Sequence, residues 1–178
     1  MASFVDRLVG AARLDAKTYE EIEADPTAMG QAMAVVGAAA LASGVGSFDS
    51  GGTTAVAAVI GGFVGWLAWA LITWLIGTKL LPEPATSADL GQLLRTIGFS
   101  AAPGILNVLG IVPVLGWIVW LVAAVWQLAA MVVAVRQALD YRSTGRAVLV
   151  CFIGWVVYVA ASIGFAVLMG IGSVMMGG

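Results

Sequence analysis

Two arginines stand near the ends of apolar segments, where a guanidinium group can meet a lipid headgroup. Arg95 lies near the start of one such segment and Arg136 at the end of another. A charge at the centre of a bilayer costs at least about 2.5 kcal/mol, so long side chains extend toward the interface. The planar guanidinium group pairs well with phosphate oxygens. Arg95 and Arg136 are therefore candidates for a shared anionic-headgroup site. The alternative is that each simply anchors its own helix end.

Few other residues are suited to catalysis or to metal binding. The sequence has no histidine, which removes the commonest metal ligand and the usual general base. Glu20, Glu21, Glu23 and Asp25 could hold a cation through oxygen ligands, but a solvated helix face explains them better. Cys151 is interpreted as a packed thiol rather than an acylation site. No catalytic, metal-binding or cofactor-binding residue is predicted, and the chain is not expected to be an enzyme.

The composition is that of an integral membrane protein. Of the 178 residues, 61% are hydrophobic and only 10% are charged, against about 25% charged in soluble domains. Apolar blocks of about 20 residues match the bilayer core and must be helical, because only helices satisfy the backbone within one segment there. The net charge of −2 gives no reason to expect a nucleic-acid partner.

The blocks predict an all-α bundle of five transmembrane helices behind a distinct N-terminal segment. Residues 1–25 form a cytoplasmic amphipathic and acidic segment, and residues 26–178 form the transmembrane domain. Within the first segment, residues 3–14 place Phe4, Val5, Leu8 and Val9 on one helical face. Such a helix lies on the membrane surface with its arginines toward headgroups, or it docks on its own protein. Both interpretations stay open.

Small residues predict where the helices approach one another. The first membrane helix carries one at every fourth position: Gly30, Ala34, Ala38, Ala42 and Gly46. The second contains a GxxxG pair, Gly61 and Gly65. Small residues at this spacing allow close helix packing, which is expected inside the bundle, with a dimer contact as the alternative.

The third hydrophobic segment, residues 92–112, is expected to bend or break at Pro103 and Gly104. Proline lacks the backbone N–H and clashes with the preceding turn. Broken membrane helices often line ligand sites, although such a proline more often only bends a helix. The fourth segment adds Gln127, a single amide in an apolar helix.

The distribution of positive charge predicts the orientation. With five spans, all eight Lys and Arg residues fall on one side, in the N-terminal segment and in the second and fourth loops. The other side carries only Asp49. Positive residues in short loops stay in the cytoplasm. We therefore expect a multi-pass protein of the cytoplasmic membrane, with the N-terminus inside and the C-terminus outside.

Several stretches together resemble the Ypt/Rab-interacting-protein (YIP) family, in its prokaryotic branch. They are TYEEIEAD (18–25) after Leu14 and Asp15, GQA (30–32), GTKLL (77–81), LRTIGFSAAPG (94–104), IVPVLG (111–116) and VAVRQALD (133–140). The resemblance implies a five-helix domain with a cytoplasmic N-terminus, and it supplies no catalytic residues. Eukaryotic relatives act in vesicle traffic with Rab-type GTPases. Their long N-terminal region is not found here, so a Rab partner is not expected.

These observations predict a non-enzymatic membrane scaffold or adaptor. Its expected partners are membrane lipids, other membrane proteins or a second copy of the chain. The alternative is a small transporter or channel that uses the broken third helix. Against that alternative, no Asp, Glu or Lys is expected at mid-membrane depth, where proton and ion relays usually need one.

Overall fold

The structure is a computed structural model that describes residues 2–46, 55–112 and 115–176, with only the backbone of residue 55 and of residues 168–176. These ranges contain helices and turns and no strand. The seven α-helices are α1 (Phe4–Ala12), α2 (Ala16–Ala24), α3 (Ala28–Gly46), α4 (Ala55–Leu75), α5 (Leu90–Ser100), α6 (Gly116–Ala138) and α7 (Thr144–Met176). A π-helical turn, Ile76–Leu80, extends α4, and a 3-10 helix, Ala102–Ile111, follows α5.

Five of the helical stretches are long and apolar enough to cross a membrane. They are Ala28–Gly46, Val56–Leu80, Leu90–Ile111, Gly116–Ala138 and Thr144–Val167. Their number and positions confirm the prediction of an all-α bundle with five membrane helices. Asp49, the one charge expected on the far side, lies outside the described residues.

The third span changes helix type where the proline predicts it. The α-helix α5 ends at Ser100, and the chain continues as the 3-10 helix from Ala102. Gly104 N–H donates to Ala101 O at 2.9 Å, closing the first tighter turn after Pro103. Because Pro103 has no N–H, the α-helical hydrogen-bond ladder cannot continue through it. The predicted kink is therefore a break between two kinds of helix.

The first two helices pack on the bundle as a cap. Tyr19 of α2 is buried and donates its hydroxyl to Ala11 O at 3.2 Å. Gly10 makes this hairpin tight, since a Cβ there would collide with Thr18. On the bundle side, the Phe4 and Phe99 rings meet edge to face with centroids 6.3 Å apart. We call residues 2–25 the cap.

The amphipathic first helix thus docks on its own protein through one face. Ala11 is buried, and Trp126 Nε1 of α6 donates to Ala12 O at 2.7 Å. The opposite face of the helix leaves Val5 and Val9 exposed. Of the two interpretations of this helix, the structure shows the protein contact. Lipid contact through the exposed apolar residues stays a prediction.

Candidate functional site

The densest polar cluster joins the cap to the first membrane helix through Arg7. This side chain is only 2% exposed. Its Nη2 donates to Glu21 Oε1 at 2.9 Å and to Asp25 Oδ2 at 2.7 Å, and its Nη1 donates to Gln31 Oε1 of α3 at 3.2 Å. Arg7 therefore links α1, α2 and α3. The prediction that it extends toward lipid headgroups is wrong, because these carboxylates compensate its charge inside the protein.

The carboxylates of this cluster are held ionised. The hydrogen bond from Arg7 lowers the pKa of Glu21. Hydrogen bonds from Thr27, followed by those from Arg7, lower the pKa of Asp25 to about 2. These hydrogen bonds favour the ionised form of both acids. Glu21 and Asp25 of the acidic stretch are therefore ion-pair partners of Arg7 rather than a vacant cation site. We call these contacts of Arg7 the clasp.

Arg95 makes a second connection between the cap and the bundle. It is 8% exposed and donates through Nε to Ile22 O at 3.2 Å, and through Nη2 to Glu23 O. These carbonyls end α2, where the helix leaves its last acceptors unpaired and a cation is favourable. Arg95 therefore caps another helix instead of extending to lipid.

Glu23 lies beside Arg95 at the end of α2, and the pKa of its carboxyl group is shifted. It is half-buried and accepts a hydrogen bond from Gln92 Nε2 at 3.0 Å. Burial, followed by repulsion from Asp140, raises its pKa to about 7, against a smaller lowering influence of Arg95. This acid titrates near neutral pH at the junction of α2 and α5. Sequence reasoning grouped it with its neighbours and missed the difference.

Arg136 binds the loop that follows its own helix, α6. Its Nε donates to Tyr141 O at 3.2 Å and its Nη2 to Arg142 O at 3.4 Å, both in the loop after α6. Arg95 and Arg136 therefore have separate protein partners. A lipid headgroup site shared by the two arginines stays a prediction.

The loop after α6 is fastened to the loop after α4. Tyr141 hydroxyl lies 3.0 Å from Gly77 O and 2.7 Å from Leu81 O. Arg142 N–H donates to Glu83 Oε2 at 3.0 Å, and Arg146 Nη1 lies 3.7 Å from Glu83 Oε1. These contacts hold the two loops together at one end of the bundle.

The small-residue stripe of α3 packs only at its end. Gly30, Ala34 and Ala38 are exposed, whereas Ala42 is buried and Gly46 lies against Asn107. Residues four apart rotate by about 40° around a helix of 3.6 residues per turn, so a five-member stripe leaves the packed face. The buried face is formed instead by Ala28, Ala32, Val35, Val36, Ala39 and Ala42.

In α4 the close helix contact is likewise not made by the GxxxG pair but by a neighbouring glycine. A Cβ on Gly61 would meet nothing within 4 Å, and one on Gly65 would meet only the Tyr158 hydroxyl, at 3.6 Å. Gly62 makes the close approach, since its Cβ would lie 2.7 Å from Ala40 Cβ. The packing predictions for Gly30, Ala34, Ala38 and Gly61 within the bundle are wrong. The dimer alternative stays a prediction.

Behind the helix break lies a cavity of about 270 Å³ between α3, α4, α5 and α6. Gly104 borders it, and a Cβ there would lie 3.4 Å from Gln127 Oε1. Trp69 Nε1 donates to Met131 Sδ at 3.2 Å across it, joining α4 to α6. Gln127 is thus half-buried and faces an internal space, as its isolated position in the sequence suggested.

Groups suited to metal binding do not assemble in the part of the chain that the structure describes. No three His, Cys, Asp or Glu side chains there lie close enough together to hold an ion. Cys151 is buried in the contact between α7 and the bundle.

Five apolar spans, a charged cap and charged loops at one end define a multi-pass helical membrane protein. Its family follows from a sequence comparison. The model of the Yip1 domain family matches residues 15–175, and the chain belongs to that family. No curated protein and no solved structure matches the chain.

Proposed function

We propose that the protein is a non-enzymatic membrane scaffold or adaptor that gathers lipids and partner membrane proteins around its bundle. The observation that carries this proposal is the exposure of one segment of α7. This helix contacts α4, the π-helical turn and α6, and residues 160–167 are exposed all around its circumference. Two complete helical turns are therefore available to lipid or to another membrane helix.

The composition of these turns suits helix–helix contact. Ala160, Ala161, Gly164 and Ala166 are small, and a Cβ on Gly164 would meet nothing within 4 Å. Small residues allow two membrane helices to approach closely, and association inside a bilayer depends on such packing. The exposed turns thus offer a surface for a partner helix, including that of a second copy.

We place the protein in the cytoplasmic membrane with the cap inside. Support comes from the charge distribution, because Arg7, Arg13 and Lys17 belong to or adjoin the cap helices. The remaining Lys and Arg residues lie in the loops after α4 and α6 or within two helical turns of those loops: Lys79, Arg95, Arg136, Arg142 and Arg146. Positive residues in short loops remain cytoplasmic.

Site-specific photo-crosslinking in native membranes tests the scaffold role. A photoreactive residue at Ala161 should give discrete adducts with membrane proteins, among them a second copy of the chain. The matched position is Val148, which is exposed on the part of α7 nearer the cap and should give lipid adducts only. Identical adduct patterns at the two positions, or lipid adducts alone at Ala161, would overturn the proposal.

A small transporter is the second candidate, favoured by the broken third span and by Gln127 beside the internal cavity. The residues that line the cavity include no charged side chain, which favours the scaffold. Solute flux in proteoliposomes discriminates the two. The scaffold predicts flux no greater than in empty vesicles, whereas flux that Gln127→Leu abolishes would establish transport.

A further inference from the structure

The side chains that line the cavity behind the helix break indicate what kind of molecule binds there. Its apolar wall includes Trp66, Trp69, Ile97 and Met131, and Ser43 and Gln127 supply polar side chains. Native interiors are packed closely, with few voids larger than a water molecule. A space of about 270 Å³ is larger than the cavity of about 150 Å³ that accepts benzene.

The two tryptophans present hydrocarbon surface to this space. Trp66 Nε1 donates to Leu94 O at 3.1 Å, and Trp69 Nε1 donates to Met131 Sδ. With both indole N–H groups engaged by the protein, the rings contribute apolar faces. A chain of methylene groups suits such walls better than water does, because buried water needs several polar partners.

The side away from the cap has a different character. Ser43 borders both this cavity and a second one of about 430 Å³. In the second cavity, Asn107 Nδ2 donates to Ser43 Oγ at 3.1 Å, while Asn107 Oδ1 is buried and has no hydrogen-bond partner among the residues that the structure describes. Trp117 and Trp120 border this second space. Ser43 is the residue that the linings of the two cavities share.

We infer that the first cavity holds part of one acyl chain of a membrane phospholipid. Methylene groups of the chain lie against Trp66, Trp69 and Met131, and the rest of the chain leaves through the open side of the cavity. The bilayer supplies such chains at high local concentration to a bundle embedded in it. This site lies inside the bundle and is independent of the exposed turns of α7, so it goes beyond the scaffold role.

Native mass spectrometry of protein taken from phosphatidylcholine nanodiscs into mild detergent tests the site. The wild-type protein should retain one phospholipid per chain after washing. Ala39→Phe, which places a ring in the cavity, should reduce the retained fraction at least tenfold. Ala38→Phe is the matched control, since Ala38 is exposed on the same helix and should retain lipid as the wild type does.

A second variant covers a folding failure of Ala39→Phe, which circular dichroism and size-exclusion chromatography would reveal. Gly65→Leu also fills the cavity, and only the Tyr158 hydroxyl lies near its Cβ position. Loss of lipid from either folded variant supports the site. Equal retention in the filled variants and the control, a wild type without lipid, or a bound mass of free fatty acid would overturn it.

Discussion

The two ends of the bundle are built differently. At the cap end, charged side chains meet carboxylates and helix-end carbonyls, and Arg7, Arg95 and Tyr141 are all buried. At the far end, α7 stands exposed on all sides over residues 160–167, and the second cavity opens beside Asn107. The difference suggests that one end fixes the arrangement of the helices, while the other is left free to contact lipids and partners.

The largest expected effect comes from breaking the cap clasp. Arg7→Ala leaves Glu21 and Asp25 without their cation. Arg7 itself is buried and loses its charge-assisted hydrogen bonds to two carboxylates, which should cost about 3 kcal/mol. The free energy of unfolding in detergent, measured with denaturant, should fall accordingly. Arg13→Ala, an exposed residue that ends α1, should change it little, and equal effects would contradict the clasp.

The next effect concerns the contact between α3 and α5. Ala32 is buried, and a Cβ on Gly98 would lie 2.8 Å from Ala32 Cβ. Ala32→Leu should therefore destabilise the protein by about 2 kcal/mol through overpacking. Ala34→Leu, on the exposed side of the same helix, should change stability by less than about 0.5 kcal/mol. Thermal unfolding in one detergent compares them, and a larger loss at Ala34 would restore the stripe as the packing face.

A smaller effect is expected at the loop contact. Tyr141→Phe removes the hydroxyl that lies between Gly77 O and Leu81 O. The loss of a buried hydrogen bond costs about 1 kcal/mol. Tyr158→Phe serves as control, because no hydrogen bond of its hydroxyl occurs among the residues that the structure describes. Chemical denaturation of the two variants checks this, and indistinguishable curves would show that the loop contact adds no stability.

The smallest effect is a pH dependence of cap docking. The pKa of Glu23 rises from 4.5 to about 7 on folding. The protonated acid is thus favoured in the docked state, and its stabilising contribution is present below pH 4.5 and lost as the pH rises through 7. Hydrogen exchange of α2 amides, corrected for intrinsic rates, should show stronger protection at pH 5.5 than at pH 8.

Glu23→Gln should remove this contribution while keeping the oxygen that accepts from Gln92. Lys17→Gln, on the exposed side of α2, should keep the dependence. An unchanged dependence in Glu23→Gln would contradict the assignment to Glu23.

The spans were predictable because long apolar blocks leave the backbone no alternative to a helix in a bilayer. The break at Pro103 was predictable because it depends on one missing N–H. The packed face of α3 was not, because that helix is apolar all around and its periodicity carries no signal.

The partners of Arg95 were also not predictable. They lie 73 and 72 residues away in the chain, and nothing local to Arg95 distinguishes a helix-end carbonyl from a lipid phosphate. The Arg7 clasp had a weak signal, since an arginine in the first helix preceded a run of acids. The cavity arises from small residues on three helices, so its detection needed their relative positions.

The most direct test of two unlike ends is their placement on opposite sides of the membrane. Single cysteines at Ser143, in the fourth loop, and at Leu115, before α6, can be labelled with a membrane-impermeant thiol reagent in a Cys151→Ser background. The cysteine at Ser143 should react only from the cytoplasmic side, and the one at Leu115 only from outside. Labelling of both positions from the same side would contradict the five-span arrangement.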